Sequence, residues 1–245
     1  MFEKPAENAN FFFFPYFRDL KNRVMYGFDA PKYCERIWVH PLCCSKLLMQ
    51  DLVQSVTGLS RHQNSGLVVD GTWPFEQAVQ ILECGRVICV DENDPFTFRI
   101  KCCVEHWIEK TPWEKTGIYE HIEKCIKKFG SADGCNSLMD VKQRYKKLDS
   151  VFNEIRKEGR FKTREELNPG NFREQGGIFI HIGPTGEPFF GGRGIHRFAI
   201  AYILGIPFPA QMGIVHKDGI RFLREYRRMP SFSCEQRKDL QNSKY

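Results

Sequence analysis

The chain has 245 residues, 42% hydrophobic and 13% aromatic, with 36 Lys/Arg against 30 Asp/Glu and a net charge of +6. That apolar content excludes a disordered chain, and the length fits one large domain or two small ones. Ten cysteines with no CxxC spacing, two pairs of them adjacent at Cys43–Cys44 and Cys102–Cys103, do not make a zinc ribbon or knuckle; they read as reduced, buried small hydrophobes of a cytoplasmic protein.

At the N-terminus, Glu3, Pro5 and Glu7 precede an aromatic run, Phe11–Phe14, that Pro15 interrupts. The run is too short to span a bilayer and does not follow a signal-peptide pattern, so no membrane partner is expected. Ile37-Trp38-Val39 reads as a short strand closed by Pro41, and Gly66–Gly71 as a second strand with a turn. Val87–Val90 reads as a third strand or buried segment, running into the turn Asp91–Pro95. His40, His62, His106 and His121 show no metal-ligand spacing, so no metal site is assigned. Cys102-Cys103 with His106 sits in an apolar helical segment beside Trp107 and reads as core packing. From Trp113 to Phe129 the pattern is helical: Ile118, Ile122, Cys125, Ile126 and Phe129 share a face, and Gly130 ends it.

The polar segment 131–136 reads as a connector. It divides the chain into residues 1–135, a mixed α/β region of unassigned role, and residues 136–245, a second domain. The charge divides there too. Twenty Lys/Arg and 13 Asp/Glu lie from Ser131 onward, against 16 and 17 before it. A basic half points to an anionic partner: a nucleotide, a nucleic acid or a phosphorylated substrate.

Ser137 and Asp140 form a capping-box start for a helix with Val141, Tyr145, Leu148, Phe152 and Ile155 on one face and Gly159 as its stop. Thr163 and Glu166 cap a short turn before Pro169. The period then changes to two. Ile178–Ile182 and Glu187–Phe190 form a hairpin around Gly183-Pro184-Thr185-Gly186, with His181 pointing away from the isoleucine face. An apolar helix over Phe198–Leu204 ends at Gly205, Pro207–Val215 is a strand, and Lys217–Arg228 is a basic last helix. Its Arg221, Arg224, Arg227 and Arg228 would suit nucleic acid or substrate phosphate, or simply water.

Between the hairpin and the apolar helix stands Gly191-Gly192-Arg193-Gly194-Ile195-His196-Arg197. Glycines let a backbone approach a ligand closely, and the first turn of a helix offers unpaired N–H groups and the positive end of its dipole. Together they form an anion site. Arg193 and Arg197 add guanidinium contacts for phosphate oxygens, and His196 can donate a hydrogen bond or move a proton.

Gly194-Ile195-His196-Arg197, followed by Phe198-Ala199-Ile200-Ala201 and Leu204-Gly205-Ile206-Pro207, resembles the G-x-H-R…A…LG…(I/V)P signature of the ParB/sulfiredoxin-like superfamily. The upstream Ile155 and Gly159 resemble the segment that opens ParB-type domains. The resemblance covers roughly residues 137–216. It implies an α+β fold with a small mixed sheet and packed helices. It also implies nucleotide phosphate (ATP, ADP or CTP) at Gly194, His196 and Arg197, with Mg2+ arriving on the phosphates. Sulfiredoxins carry a reactive Cys where this chain has Ile195, and the serine-kinase branch carries an Asp where it has Arg193. Other stretches, Ser65-Gly66 with Asp70–Trp73, Trp113–Thr116 and Tyr145 to Gly159, are similar to a group of archaeal, bacterial and viral proteins that carries no assigned activity. That likeness bears on domain extent alone.

The resulting expectation is a nucleotide-dependent phosphotransferase acting on a small molecule or glycan. His196 and Arg197 would act at the phosphates, and Glu158 would be the general base, chosen from Glu154, Glu158, Glu165 and Glu166. His216 could also reach the ligand. The alternatives are a ParB-like nucleotide-binding protein that contacts DNA through the basic half, and a scaffold that kept the fold without the chemistry. Oligomeric state is left open.

Overall fold

In this computed structural model the described residues are 7–83, 86–88 and 96–228, with side chains described from Phe14 onward. The fold is α+β, one mixed sheet with helices packed against it. The first half supplies α1 (Glu7–Tyr26), β1 (Arg36–Val39), β2 (Lys46–Leu47), α2 (Gln50–Thr57), β3 (Val68–Val69), α3 (Trp73–Glu76) and β4 (Val79–Gln80), then a small hairpin of β5 (Leu82–Glu83) and β6 (Arg86–Val87). Helices α4 (Thr97–Trp107), α5 (Ile118–Phe129), α6 (Leu138–Glu158) and α7 (Arg164–Leu167) follow. The chain then forms the hairpin β7 (Ile178–Ile182) and β8 (Pro188–Phe190), helix α8 (Ile195–Leu204), strand β9 (Phe208–His216) and a last turn, α9 (Leu223–Tyr226).

Local sequence chemistry explains the later elements. Ser137 Oγ accepts from Asp140 N at 3.2 Å while the Asp140 carboxylate accepts from Ser137 N at 3.0 Å, the reciprocal box that starts α6. Thr163 and Glu166 do the same for α7. On β7, Ile178, Ile180 and Ile182 face the large core shared with α4, α6 and α8. Phe189 and Ile214 lie in a second apolar cluster with Leu48, Val53 and Phe75 of the α2–α3 region. Both faces of the sheet are therefore covered, which is why β9 is buried along all nine residues.

The strand order is β1-β9-β7-β8-β2-β4, with β3 also paired to β9. β9 is the spine. It runs antiparallel to β1 and parallel to β7 and β3. β8 is antiparallel to β7 and parallel to β2. Strands from both halves thus share one sheet, and one apolar cluster runs from Ile37 to Leu223. The division expected at residues 135/136 is not a division of the core. β7, β8 and β9 alone would leave two unpaired edges, and β1, β2 and β3 of the first half close them.

Other expectations need adjustment. The segment Lys217–Arg228 is not one basic helix. It is a 3-10 stretch, Lys217–Phe222, followed by the single turn α9. His216 caps that stretch by accepting from Asp218 N, and its other ring nitrogen sits 3.2 Å from Asp70 O, so it stands away from the glycine loop. Arg224 pairs with Asp29, and Arg227 with Asp29 and Glu35, so two of the four arginines tie the last turn to the 29–35 loop. Pro15 does not end the aromatic segment. The helix backbone of α1 runs through it, while the Phe11–Phe13 side chains lie outside the described residues. Cys89, Val90 and the turn at 91–95 also lie outside them. The seven described cysteines are free, five of them buried. No described helix is long and apolar enough to cross a membrane.

Candidate functional site

The glycine loop leaves β8 and lies across β7. Gly191 N donates to Phe179 O at 2.8 Å, and Phe179 N donates to Arg193 O at 3.1 Å, so both sides of the loop are tied to one residue of β7. Two of its glycines are sterically required. A Cβ on Gly191 would sit 2.8 Å from the Phe179 ring and from His181 Nε2. Gly194, the N-cap of α8, has φ +81° and would press a Cβ against the Ile178 backbone at 3.1 Å. Helix α8 then starts at Ile195, and the first intrahelical bond is Phe198 N to Gly194 O at 2.9 Å. The amides of Ile195, His196 and Arg197 make up the first turn, where an α-helix leaves N–H groups without internal partners.

This start differs from those of α6 and α7. Those helices carry their own hydroxyl cap and their own acid in the first turn. Helix α8 has a glycine N-cap, no capping side chain and no acid in its first turn. Arginines surround it instead. A helix start favours negative charge, by roughly 0.3–1 kcal/mol per group, so α8 lacks from its own sequence the anion that it favours.

In front of this start lies a cleft of about 730 Å3, within the usual range for ligand pockets. One wall is Gly192–Arg197 with Arg61. The facing wall is one side of α6, from Arg144 and Lys147 to Glu154 and Glu158, continued by Arg160, Phe161 and Lys162. Its apolar part includes Leu148, Val151, Ile155, Phe161 and Leu167. Among the described residues, Arg61, Arg144, Lys147 and Arg193 form no ion pair with protein. The cleft is therefore cationic at the α8 end and mixed beyond it, with apolar side chains beside the Glu154–Lys162–Glu158 cluster.

The anticipated site residues fall into three groups. Gly191 lies under the loop, while Gly192, Arg193, Gly194, Ile195, His196 and Arg197 all line the cleft. Arg197 is partly committed: Nη2 donates to Gly176 O at 2.8 Å and braces the segment after Glu174. Burial lowers its guanidinium to about 10, which leaves it cationic at neutral pH. His196 is 6% exposed, and its Nε2 is 3.0 Å from the Tyr145 hydroxyl on α6. Burial pulls the imidazole down to about 4 against the opposing pull of Asp133, so it is neutral at pH 7. It joins α8 to α6 rather than adding a positive charge.

Of the four candidate bases, Glu154 and Glu158 line the cleft and share Lys162, at 2.5 and 2.9 Å. Glu165 faces Arg36 at 3.7 Å and Glu166 is used by the α7 cap and by Arg160, so neither reaches the cleft. The third cleft carboxylate, Asp133, is held by Arg99 at 2.9 Å. Among the described residues no three His, Cys, Asp or Glu are grouped to hold a metal ion. The cleft carboxylates are each paired with a protein cation instead: Asp133 with Arg99, and Glu154 and Glu158 with Lys162.

Sequence reasoning missed Arg61, Arg144, Lys147, Tyr145 and Lys162. The α6 residues carried a readable signal: Arg144, Lys147, Val151, Glu154 and Glu158 recur at helical spacing beside the apolar face. Arg61 carried none, because only the tertiary fold brings its loop to Arg193. Against known proteins, the chain matches no family model, no curated sequence and no solved structure.

Proposed function

We propose that this cleft is a ParB/sulfiredoxin-like nucleotide site, and that the protein is a phosphotransferase using a nucleoside di- or triphosphate. The observation that carries this reading is the uncapped, acid-free start of α8 beside Arg61, Arg144 and Arg193, which form no ion pair among the described residues. Phosphate oxygens supply the missing negative groups: they accept from the amides of residues 195–197 and from Arg193 and Arg197. The order of strand, glycine loop, His-Arg helix and strand supports the superfamily resemblance. The apolar part, with Phe161 and Leu167, gives the nucleoside a seat that inorganic phosphate would not need.

Transfer would run from the terminal phosphate to an acceptor hydroxyl lying along α6. The acceptor oxygen attacks phosphorus, the bond from phosphorus to the bridging oxygen breaks, and the shortened nucleotide leaves. Glu158 takes the hydroxyl proton, and Lys162, between Glu154 and Glu158, holds the carboxylate in place. Arg61, Arg144 and Lys147 stabilise the charge that spreads over the phosphoryl oxygens.

A thermal-shift screen against nucleoside mono-, di- and triphosphates with Mg2+ tests binding. A ligand at 100 times its dissociation constant stabilises by about 2.7 kcal/mol. Nucleotide consumption over a panel of hydroxyl acceptors then tests transfer, with Glu158→Gln expected to bind nucleotide and not turn it over. No stabilisation by any phosphate ligand at low salt would sink the site, and binding without turnover would sink the transferase reading.

A further inference from the structure

We propose that α1 is an in-plane docking helix for an anionic lipid surface. Its amphipathic pattern is inverted. The side chains turned inward are polar: Asn22 and Asp19 are bonded, and the buried Arg18 lies over the Phe14 ring with one guanidinium nitrogen unpartnered. Asn22 Nδ2 donates to the carbonyls of Pro31 and Gly66, both at 2.7 Å. Asp19 accepts from Tyr33 N at 2.7 Å and from Arg173 at 2.6 Å. The side chains turned outward are apolar: Phe17 is 68% exposed, Val24 78% and, just past the helix end, Phe28 83%, with Leu20 between them. Positions 17, 20 and 24 share one helical face, the spacing that in an ordinary surface helix points at the core. A contiguous exposed apolar strip of this kind marks a docking surface.

Charge selects the occupant. The exposed charges of α1 at the strip are Lys21 and Arg23, and the Arg23 guanidinium lies 4.3 Å from the Phe28 ring centroid; Asp29, next to Phe28, is paired with Arg224 and Arg227. Asp19, the acid among the described side chains of α1, is turned in on Arg173. A second copy packed antiparallel on the strip would bring Lys21 against its own counterpart. An anionic headgroup layer complements both cations while the acyl boundary takes the aromatic and aliphatic groups. Such a helix lies on the bilayer and does not span it, and the inference is independent of the cleft.

The test uses the full chain with vesicles of phosphatidylcholine alone and of phosphatidylcholine with phosphatidylserine. Flotation is expected with the anionic vesicles, weakening as salt rises. Phe17→Ser with Val24→Ser should cut partitioning at least about tenfold. Lys21→Glu with Arg23→Glu should cut it at least about thirtyfold on anionic vesicles. Both pairs are exposed, so neither should lower the melting temperature. Three results overturn the proposal: no flotation with anionic vesicles; flotation that neither pair weakens; or a wild-type dimer in sedimentation equilibrium that the Phe17/Val24 pair converts to monomer, which would give the strip to a second copy.

Discussion

Arg193→Ala separates a binding residue from a structural one. Arg193 lines the cleft, and among the described residues its side chain has no ion-pair partner. Its nearest electrostatic effects are on Arg61, His62 and Arg197, and on all three it acts against the charged form. Removing it should therefore leave the ligand-free protein as stable as before, or slightly more so. With a phosphate ligand the balance reverses. A charge-assisted hydrogen bond is worth about 1.5–3 kcal/mol, which is roughly a 10- to 150-fold loss of affinity. Arg193→Lys keeps the charge but not the two-pronged guanidinium and should fall between. Calorimetric titration with a nucleoside triphosphate, with parallel urea denaturation of the free protein, measures both sides. Unchanged affinity, or a loss of more than about 1 kcal/mol in the free protein, would show that Arg193 supports the fold and not a ligand.

Two buried imidazoles make stability depend on pH. Burial lowers His181 to about 3 and His196 to about 4, while the unfolded chain protonates both near 6.5. The unfolded state therefore binds more protons as pH falls through 6.5, and urea-unfolding free energy should fall by about 1.1 kcal/mol per pH unit per histidine on average between pH 6.5 and 5; a flat profile there would mean that these rings are hydrated. Tyr145→Phe removes the hydroxyl 3.0 Å from His196 Nε2 at nearly constant volume and should cost about 1–3 kcal/mol, with a loosened α8 visible as faster amide exchange at residues 195–198. Asp149→Ala should cost about 2–4 kcal/mol in urea denaturation, because Trp107 and Trp113 both direct ring N–H groups at that carboxylate and His106 Nε2 lies 3.0 Å from it.

What could be read without coordinates was what local chemistry specifies. The Ser137–Asp140 box, the Gly159 stop, the 178–190 hairpin and the alternation that sends His181 away from the isoleucines depend on neighbours a few residues apart, and each stands in the structure. The glycine loop was legible for the same reason. What stayed hidden depends on distant pairing. β3 was read within Gly66–Gly71, but β2 and β4 are two residues long and owe their existence to β8 and to each other, so no window of sequence could announce them. α1 went unread because its exposed Phe17, Leu20 and Val24 and its inward Asn22 and Asp19 reverse the usual pattern. The segment 131–136 looked like a linker, and its turn is one, yet a change of composition along the chain says nothing about which strands share a sheet.

That shared sheet bears on the site itself. Arg61, Arg144, Lys147, Arg193 and Arg197 are among the cations that line the cleft, and like charges brought together there repel one another. They are carried by three separate pieces of the fold: a loop of the first half, helix α6, and the turn into α8. Each piece is held elsewhere. Ser65, close to Arg61 in sequence, donates to Met212 O on β9 at 2.6 Å; α6 reaches α8 through Tyr145 and His196; and the glycine loop is tied to Phe179. The repulsion is thus opposed by contacts outside the cleft, and the arginines need not rearrange when a ligand binds. A cleft built this way needs both halves of the chain. The first 135 residues, unreadable as a site, supply the sheet edges and the Arg61 loop without which the cationic end would be incomplete.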